Sequence, residues 1–291
     1  MAGTAAVTRR IGSIQGPTRV VRPILRRALH LIHHPAGEAT AIQSTVPIGD
    51  GLRMRVNTYR LVEWDVFFLG FEPEIRTLLR RSLRPGGTAI DVGANVGVHT
   101  VVMARTVGAG GRVIACEPSP AFHEELTANV ELNHLSNVTI HQVAVAAKPG
   151  PVTLYVPTDS RHAAGASLNP GMHDQLQQSK PVEVAGTTID ELVATDAVDH
   201  VDLIKIDVEG FDAAVLAGAH DVLLRDRPSL VFEYTRDWWA KAGYGLDGVL
   251  AGLRSLGYNQ FQDVTWRGLR PINNPPPERM NVFAENHDLH A

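Results

Sequence analysis

Apolar residues recur at two spacings along this chain, and the alternation between the two predicts an α/β fold. Short, mostly apolar runs at 88–92, 112–117, 138–143, 152–156, 201–206, 229–233, 259–264 and 280–284 read as strands. Between them the spacing turns helical. Ile75, Leu78, Leu79 and Leu83 mark a helix over 74–83, opened by Pro73 and stopped by Pro85-Gly86-Gly87. Further helices are predicted over 96–107, after the cap Ser119 with Phe122, Leu126 and Val130 as its stripe, over 188–193, over 211–224 with a bend near Gly218, and over 246–256. Residues 45–56 alternate around Gly49-Asp50-Gly51 and predict a small hairpin ahead of the main body. Residues 157–181 carry no period, and a loop of that length in a compact domain points to function or motion. Strands alternating with helices imply crossovers and a mostly parallel sheet covered on both faces. Ligands of such sheets sit beyond the carboxyl ends of the strands.

The residues before 70 have a different character. Arg9, Arg10, Arg19, Arg22, Arg26 and Arg27 all precede the first acid, Glu38. A basic amphipathic helix over 20–33 is expected, as a loose arm or packed on the body, with a transit or membrane-surface segment as the alternative. The expected organisation is an arm plus hairpin over 1–69 and one large domain over 70–291. A hydrophobic fraction of 44% with 20% charged residues suits a soluble protein with a sizeable core. The net charge of -4 gives no reason to expect a nucleic-acid partner, and no apolar run reaches membrane-spanning length. Cys116 is the only cysteine, so there is no internal disulfide, which suits the cytoplasm. A homo-oligomer is left open.

The candidate chemistry lies at the predicted strand ends, where Asp91, Glu117, Asp207 with Glu209, and Glu233 stand. Gly93 and Gly97 allow a tight strand-to-helix turn and a close approach of backbone to ligand. Asn95 takes the middle position of the dinucleotide fingerprint, and no Walker pattern occurs, so tight packing on a pyrophosphate is disfavoured. Glu117 follows about twenty residues later, where a carboxylate accepts ribose hydroxyls. S-adenosylmethionine suits this set: it has a ribose, no phosphate, and cationic groups that nearby carboxylates favour. Backbone N–H groups near Asn95 would meet its carboxylate, with Pro118 and Ser119 on one side of the adenine and Gln142 and Val143 on the other. NAD is the rival. In 204–210 an extended backbone points Asp207 and Glu209 to one side, which calls for a cation: Lys205, the cofactor or a divalent metal such as magnesium. The alternative is that Glu209 caps the next helix while Lys205 pairs with a structural acid. His99 reads as structural or cofactor-facing.

These residues carry a resemblance. Asp91-Val92-Gly93-Ala94-Asn95-Val96-Gly97, Val113-Ile114-Ala115-Cys116-Glu117-Pro118 and Lys205-Ile206-Asp207-Val208-Glu209-Gly210 resemble the motifs of the FkbM family of S-adenosylmethionine-dependent methyltransferases. Gly70-Phe71-Glu72-Pro73-Glu74, Asn129 with Asn133, and Thr188-Ile189-Asp190 are weaker matches. The resemblance implies a class I, Rossmann-like methyltransferase fold with a seven-stranded sheet and an antiparallel last strand. It implies O-methylation of a small molecule, a sugar or polyketide-type natural product. Asp91, Gly93 and Gly97 would then shape the methionine end, with Ala94 and Asn95 also cofactor-binding, Glu117 would hold the ribose, and Asp207 would lie near the methyl and acceptor. A hydroxyl acceptor must lose a proton, so Asp207 and Glu209 are the first choices as base or metal ligands, and Glu233 the third. Glu72, His162, Ser167, Asn169, His173 and Trp238 are candidate acceptor contacts, with Trp239 either beside Trp238 or in the core. An NAD-dependent oxidoreductase and a non-catalytic binding protein on the same fold are the competing functions.

Overall fold

The computed structural model of the chain describes residues 37–168 and 178–286. The expected basic helix over 20–33, and Asn169 and His173, lie outside them. Strands β1 (Gln43–Gly49) and β2 (Leu52–Asn57) form an antiparallel hairpin. In β2 Leu52, Met54 and Val56 are buried while Arg53 and Arg55 are exposed, the period of a strand with one face on a core. Helices α1 (Leu61–Leu69) and α2 (Pro73–Ser82) follow, then β3 (Thr88–Val92), α3 (Val98–Val107), β4 (Arg112–Cys116), α4 (Pro120–Leu132) and β5 (Val138–His141). A peripheral stretch holds β6 (Ala144–Val145), β7 (Val152–Pro157), a 3-10 turn (Ser160–Gly165), β8 (Ser179–Val184) and β9 (Gly186–Thr187). The chain then returns through α5 (Ile189–Thr195), β10 (Leu203–Ile206), α6 (Asp212–Ala217), α7 (His220–Arg225), β11 (Ser229–Thr235), α8 (Arg236–Lys241) and α9 (Leu246–Ser255). It ends in β12 (Gln260–Thr265), β13 (Gly268–Pro271) and β14 (Arg279–Glu285). Among the described residues, no helix is long and apolar enough to cross a membrane.

The main sheet has eight described strands in the order β13-β12-β14-β11-β10-β3-β4-β5. The expectation of seven is corrected: β13 folds back on β12 and adds an outer edge. Strands β11, β10, β3, β4 and β5 are parallel neighbours, and β14 runs against both β11 and β12. This is a mixed, Rossmann-like α/β sheet. Successive side chains feed opposite faces. Ile90, Ile204, Leu230 and Val282 join one core with Ile189, Val215 and Val222 from α5, α6 and α7. Ala89, Leu203, Val231 and Phe283 join the other with Leu79 of α2 and Met103 of α3.

Three departures from the sequence pattern have local causes. Helix α1 went unpredicted because it has no polar stripe: Trp64, Val66 and Phe68 are buried, and so is Glu63. That carboxylate accepts the Asn57 N–H at 3.0 Å and faces Arg60 at 3.5 Å. The bend expected near Gly218 is a full break between α6 and α7. A Cβ there would overlap the Ala146 carbonyl oxygen, so the backbones can approach only at a glycine. Part of 157–181 is strand: β8 pairs antiparallel with β7, but its mostly exposed residues give it no apolar face to read.

The hairpin is tied to the main body by two asparagines one turn apart, Asn129 on α4 and Asn133 at its C-cap. Asn133 accepts the Arg53 N–H at 2.8 Å and Asn129 the Arg55 N–H at 2.7 Å. The Asn129 amide also donates to the Val96 carbonyl at 2.9 Å, which fixes the turn after β3 against the hairpin.

Candidate active site

Connections reverse direction across the sheet between β3 and β10, which opens a crevice at their carboxyl ends. The register sets Asp91 of β3 beside Lys205 of β10. The Lys205 Nζ lies 3.3 Å from Asp91 Oδ1 and 3.6 Å from Asp207 Oδ2, and donates to the Gly93 carbonyl at 3.3 Å. Asp91 is fully buried and also accepts from the Thr100 hydroxyl at 2.6 Å. Burial alone would lower the Lys205 pKa, but Asp91 and Asp207 outweigh it and raise it. The Asp91 charge therefore faces Lys205 and Thr100, inside the sheet's end, rather than the open crevice.

The turn after β3 is held by one carboxylate. Glu117 Oε2 accepts the Asn95 N–H and Oε1 accepts the Ser119 N–H, each at 2.9 Å. Asn95 sits at φ 53, a left-handed conformation asparagine tolerates, and its side chain accepts the Val96 N–H at 2.8 Å. Gly93, at φ 75, leaves no room for a Cβ, which would overlap the Asp207 carbonyl oxygen.

Two cavities meet at this turn. One, of 680 Å³, is walled by Leu61, Val62, Leu69 and Phe71 on its apolar side and by Glu72, Asp207, Glu209 and Glu233 on its acidic side. The other, of 60 Å³, lies against Glu117, Pro118, Phe122, Val143, Ser167 and Leu168. Gly93, Asn95, Ala164, Asp207 and Glu209 line both. A larger cavity of 1220 Å³ lies at the opposite ends of the strands, around Arg84, Asp202, Arg227 and Ser229, and none of the strand-end acids reaches it. The smaller pair is the candidate site, because ligands of such sheets sit at the carboxyl ends of the strands.

A sequence profile described as the methyltransferase FkbM domain matches residues 91–259. The chain belongs to the FkbM methyltransferase family. Its curated relatives include Methyltransferase 1 of Beauveria bassiana, 27% identical over 145 residues, which cover 45% of this chain and 58% of that one. The 31-O-demethyl-FK506 methyltransferase FkbM of Streptomyces tacrolimicus is 28% identical over 162 residues, 48% of this chain and 62% of that one. The chain thus aligns with about three fifths of each relative's length. A solved FkbM methyltransferase from Methylobacillus flagellatus superposes with a TM-score of 0.43 at 19% identity, over 69% of this chain and 44% of that one. The FkbM domain is an S-adenosylmethionine-dependent methyltransferase domain, which sets the NAD reading aside.

The walls of this FkbM site fit that cofactor. The larger of the two cavities carries six carboxylates (Asp65, Glu72, Glu74, Asp207, Glu209 and Glu233) against three cations (Arg161, Lys205 and Arg279), an excess that suits a sulfonium and not a phosphate. Burial pushes Glu117 up to about 7, against the pull of its two backbone hydrogen bonds. Burial, with Asp207 adding repulsion, also raises Glu72, Glu209 and Glu233. His99 is buried and held neutral, its pKa well below the ordinary value through burial and the nearby Lys205 and Arg76 charges. Its Nε2 lies 3.5 Å from Glu72 Oε2. Among the described residues, no three His, Cys, Asp or Glu side chains converge as a metal site.

The expected site residues divide by position. Glu72, Gly93, Ala94, Asn95, His99, His162, Asp207, Glu209 and Glu233 line the larger cavity, and Glu117, Pro118, Val143 and Ser167 the smaller. Ser167 donates from its hydroxyl to the Glu209 carbonyl at 2.9 Å. Asp91, Gly97, Ser119, Gln142 and Trp238 are on neither wall. Gln142 is exposed, and a Cβ on Gly97 would overlap Leu126, so that glycine serves the packing of α3 on α4. Trp239 is core, stacked on Phe232 with centroids 6.0 Å apart, while Trp238 lies 5.7 Å from the Arg279 guanidinium. Arg279 is the cavity-wall residue the sequence concealed. It lines the cavity and donates to Glu233 Oε1 at 2.6 Å, yet no motif marks it; only the pairing of β14 with β11 brings it there.

The raised carboxylates set a pH dependence. A carboxyl with a raised folded pKa contributes stability that is complete below its ordinary value of 4.5 and lost as the pH climbs through the folded value, about 7 for Glu117 and for Glu63. His99 works oppositely, losing stability as the pH falls through its ordinary 6.5, but it is one group against several. The ligand-free protein is therefore expected to melt at a lower temperature at pH 8 than at pH 5.5. Thermal unfolding across that window checks this, and a melting temperature that rises with pH would contradict it.

Proposed function

We propose that this chain methylates a hydroxyl of a small molecule, of sugar or polyketide type, by in-line transfer from S-adenosylmethionine. One observation carries the reading: the two cavities share the wall formed by Gly93, Asn95, Asp207 and Glu209. With ribose on the Glu117 side and the acceptor on the Glu72 side, the reacting atoms meet at that wall. The name of the Streptomyces relative, a 31-O-demethyl-FK506 methyltransferase, supports a hydroxyl acceptor.

When bound, the cofactor supplies an electrophilic methyl on a sulfonium. Glu117 retains lone pairs beyond its two backbone bonds and uses them for the ribose hydroxyls. The free N–H groups of the first turn of α3 would hold the cofactor's carboxylate. Asp207, which Lys205 faces at 3.6 Å, would take the proton of the acceptor hydroxyl. Glu233 is the weaker choice, since Arg279 already occupies one of its oxygens. Leu61, Val62, Leu69 and Phe71 give the acceptor side an apolar wall. The 60 Å³ beside Glu117 is too small for an adenine ring, so Ala166, Ser167 and Leu168 must yield as the cofactor enters.

Calorimetry with S-adenosylmethionine on the intact chain is the first test, and no binding would end the assignment. Methyl transfer is then assayed across hydroxylated sugars and polyketide lactones, with and without EDTA. Asp207→Asn is expected to lower turnover by about 100-fold or more, the scale of a lost general base, with cofactor affinity changed only a few-fold. The reverse split would move Asp207 to the cofactor.

A further inference from the structure

We propose that Glu209 distinguishes the methyl donor from its product by charge, releasing a proton when the cationic donor binds and retaining it against the neutral product. The inference rests on the cofactor assignment above. Glu209 is one of the five residues that wall both cavities, the wall at which donor and acceptor would meet. Charges face it from every side. Asp207 and Lys205 come from its own strand end, Glu72 from the start of α2, and Glu233 and Arg279 from β11 and β14. Asp212 of α6 lies behind Glu233, its carboxylate 3.3 Å from the Glu233 backbone N–H, and Arg161 and His162 of the 3-10 turn line the same cavity.

The cations in this group are already engaged. Lys205 is shared by Asp91 and Asp207, Arg279 holds Glu233, and Arg161 holds Asp159 at 2.8 Å. Among the described residues, no cation lies within ion-pair distance of the Glu209 carboxylate. A half-buried carboxyl in that position, ringed by like charges, is more stable with its proton. Its backbone is also in the left-handed region, at φ 50, where a glycine would sit without strain. Such strain in a non-glycine residue persists where the surroundings enforce it, and it clusters at functional sites. Here the Ser167 hydroxyl pins the Glu209 carbonyl.

A sulfonium at the shared wall supplies the missing positive charge and favours the carboxylate, so the proton leaves to solvent. Methyl transfer turns the sulfonium into a neutral thioether, the acceptor O–H becomes O–CH3, and its proton is the one net proton of the reaction. Glu209 then regains a proton from solvent, the charge attraction disappears, and the product is held less tightly. Donor affinity accordingly rises with pH while Glu209 is protonated in the free protein, and product affinity does not.

The test titrates the intact chain with S-adenosylmethionine and with S-adenosylhomocysteine at pH 7, in phosphate and in Tris, whose ionisation heats differ. About one proton released per donor bound and close to none per product is expected. Glu209→Gln should abolish the release and lower the donor-to-product affinity ratio about tenfold, while Glu209→Asp, which keeps the charge, should retain both. Equal proton counts for the two ligands in the wild type would overturn the proposal, as would an unchanged affinity ratio in Glu209→Gln. The wild-type counts decide alone if Glu209→Gln does not fold. Failure of the wild type to bind either ligand would instead defeat the cofactor assignment.

Discussion

Replacing Lys205 with methionine is expected to destabilise the protein by about 3–5 kcal/mol, the range for a buried charge stripped of its partner. Asp91 is fully enclosed, and among the described residues its Oδ1 has no hydrogen-bond partner besides the ion pair with Lys205 at 3.3 Å. The Thr100 hydroxyl satisfies only the other oxygen. Methionine fills much of the lysine stem's volume, so the loss reports charge rather than a cavity. Set against a total stability of roughly 5–15 kcal/mol, the effect is large enough to read in a urea titration. Adding Asp91→Asn to Lys205→Met should restore most of the loss, because the pair is then removed from both ends. A loss under about 1 kcal/mol in the single variant would mean that the strand ends do not depend on this pair.

Gly93→Ala is expected to cost cofactor binding about 100-fold, on the scale of a displacement near 1 Å at the site, together with a few kcal/mol of stability. The added methyl would overlap the Asp207 carbonyl oxygen, which belongs to the end of the neighbouring strand and cannot swing aside. Relief would push the β3 turn and the β10 end apart, and those are the shared wall of the two cavities. Gly108→Ala is the control: at φ 69 and ψ -176 it also sits where glycine rests best, but no atom lies within 4 Å of the new methyl. The control should lose about 1–3 kcal/mol of stability and bind S-adenosylmethionine normally. Equal binding losses in the two variants would show that contact with Asp207 is not what fixes the turn.

Much of this architecture is written in local patterns. The runs at 88–92, 112–117 and 201–206 lie on strands because a strand buried on both faces is apolar throughout, and the acids that follow them fall at one edge of the sheet. Pairing information is different, because it is not local. Asp91 read in isolation suggested a charge held ready for a cationic cofactor; the β3–β10 register gives that charge to Lys205 instead. Lys205 was one of several partners open for Asp207, and the same register brings it to both acids. Arg279 gave no signal at all, since its role exists only once β14 lies beside β11. Helix α1 was hidden for the opposite reason: its residues are so uniformly apolar that no face stands out. Gln142 and Trp238 were placed by proximity in sequence to strand ends, and one exposed position and one stack against Arg279 show how little proximity fixes direction.

The position of β14 has a consequence for how the chain is made. The strand lies between β11 and β12, yet it follows both in sequence. A ribosome working from the amino end therefore presents β11 with a bare flank, and β12 without its inner neighbour, until residues 279–285 have been added. An apolar strand left open in that way is a template for pairing with other nascent chains. The same late strand carries Arg279, so protection from aggregation and completion of the acidic wall arrive in one step of synthesis.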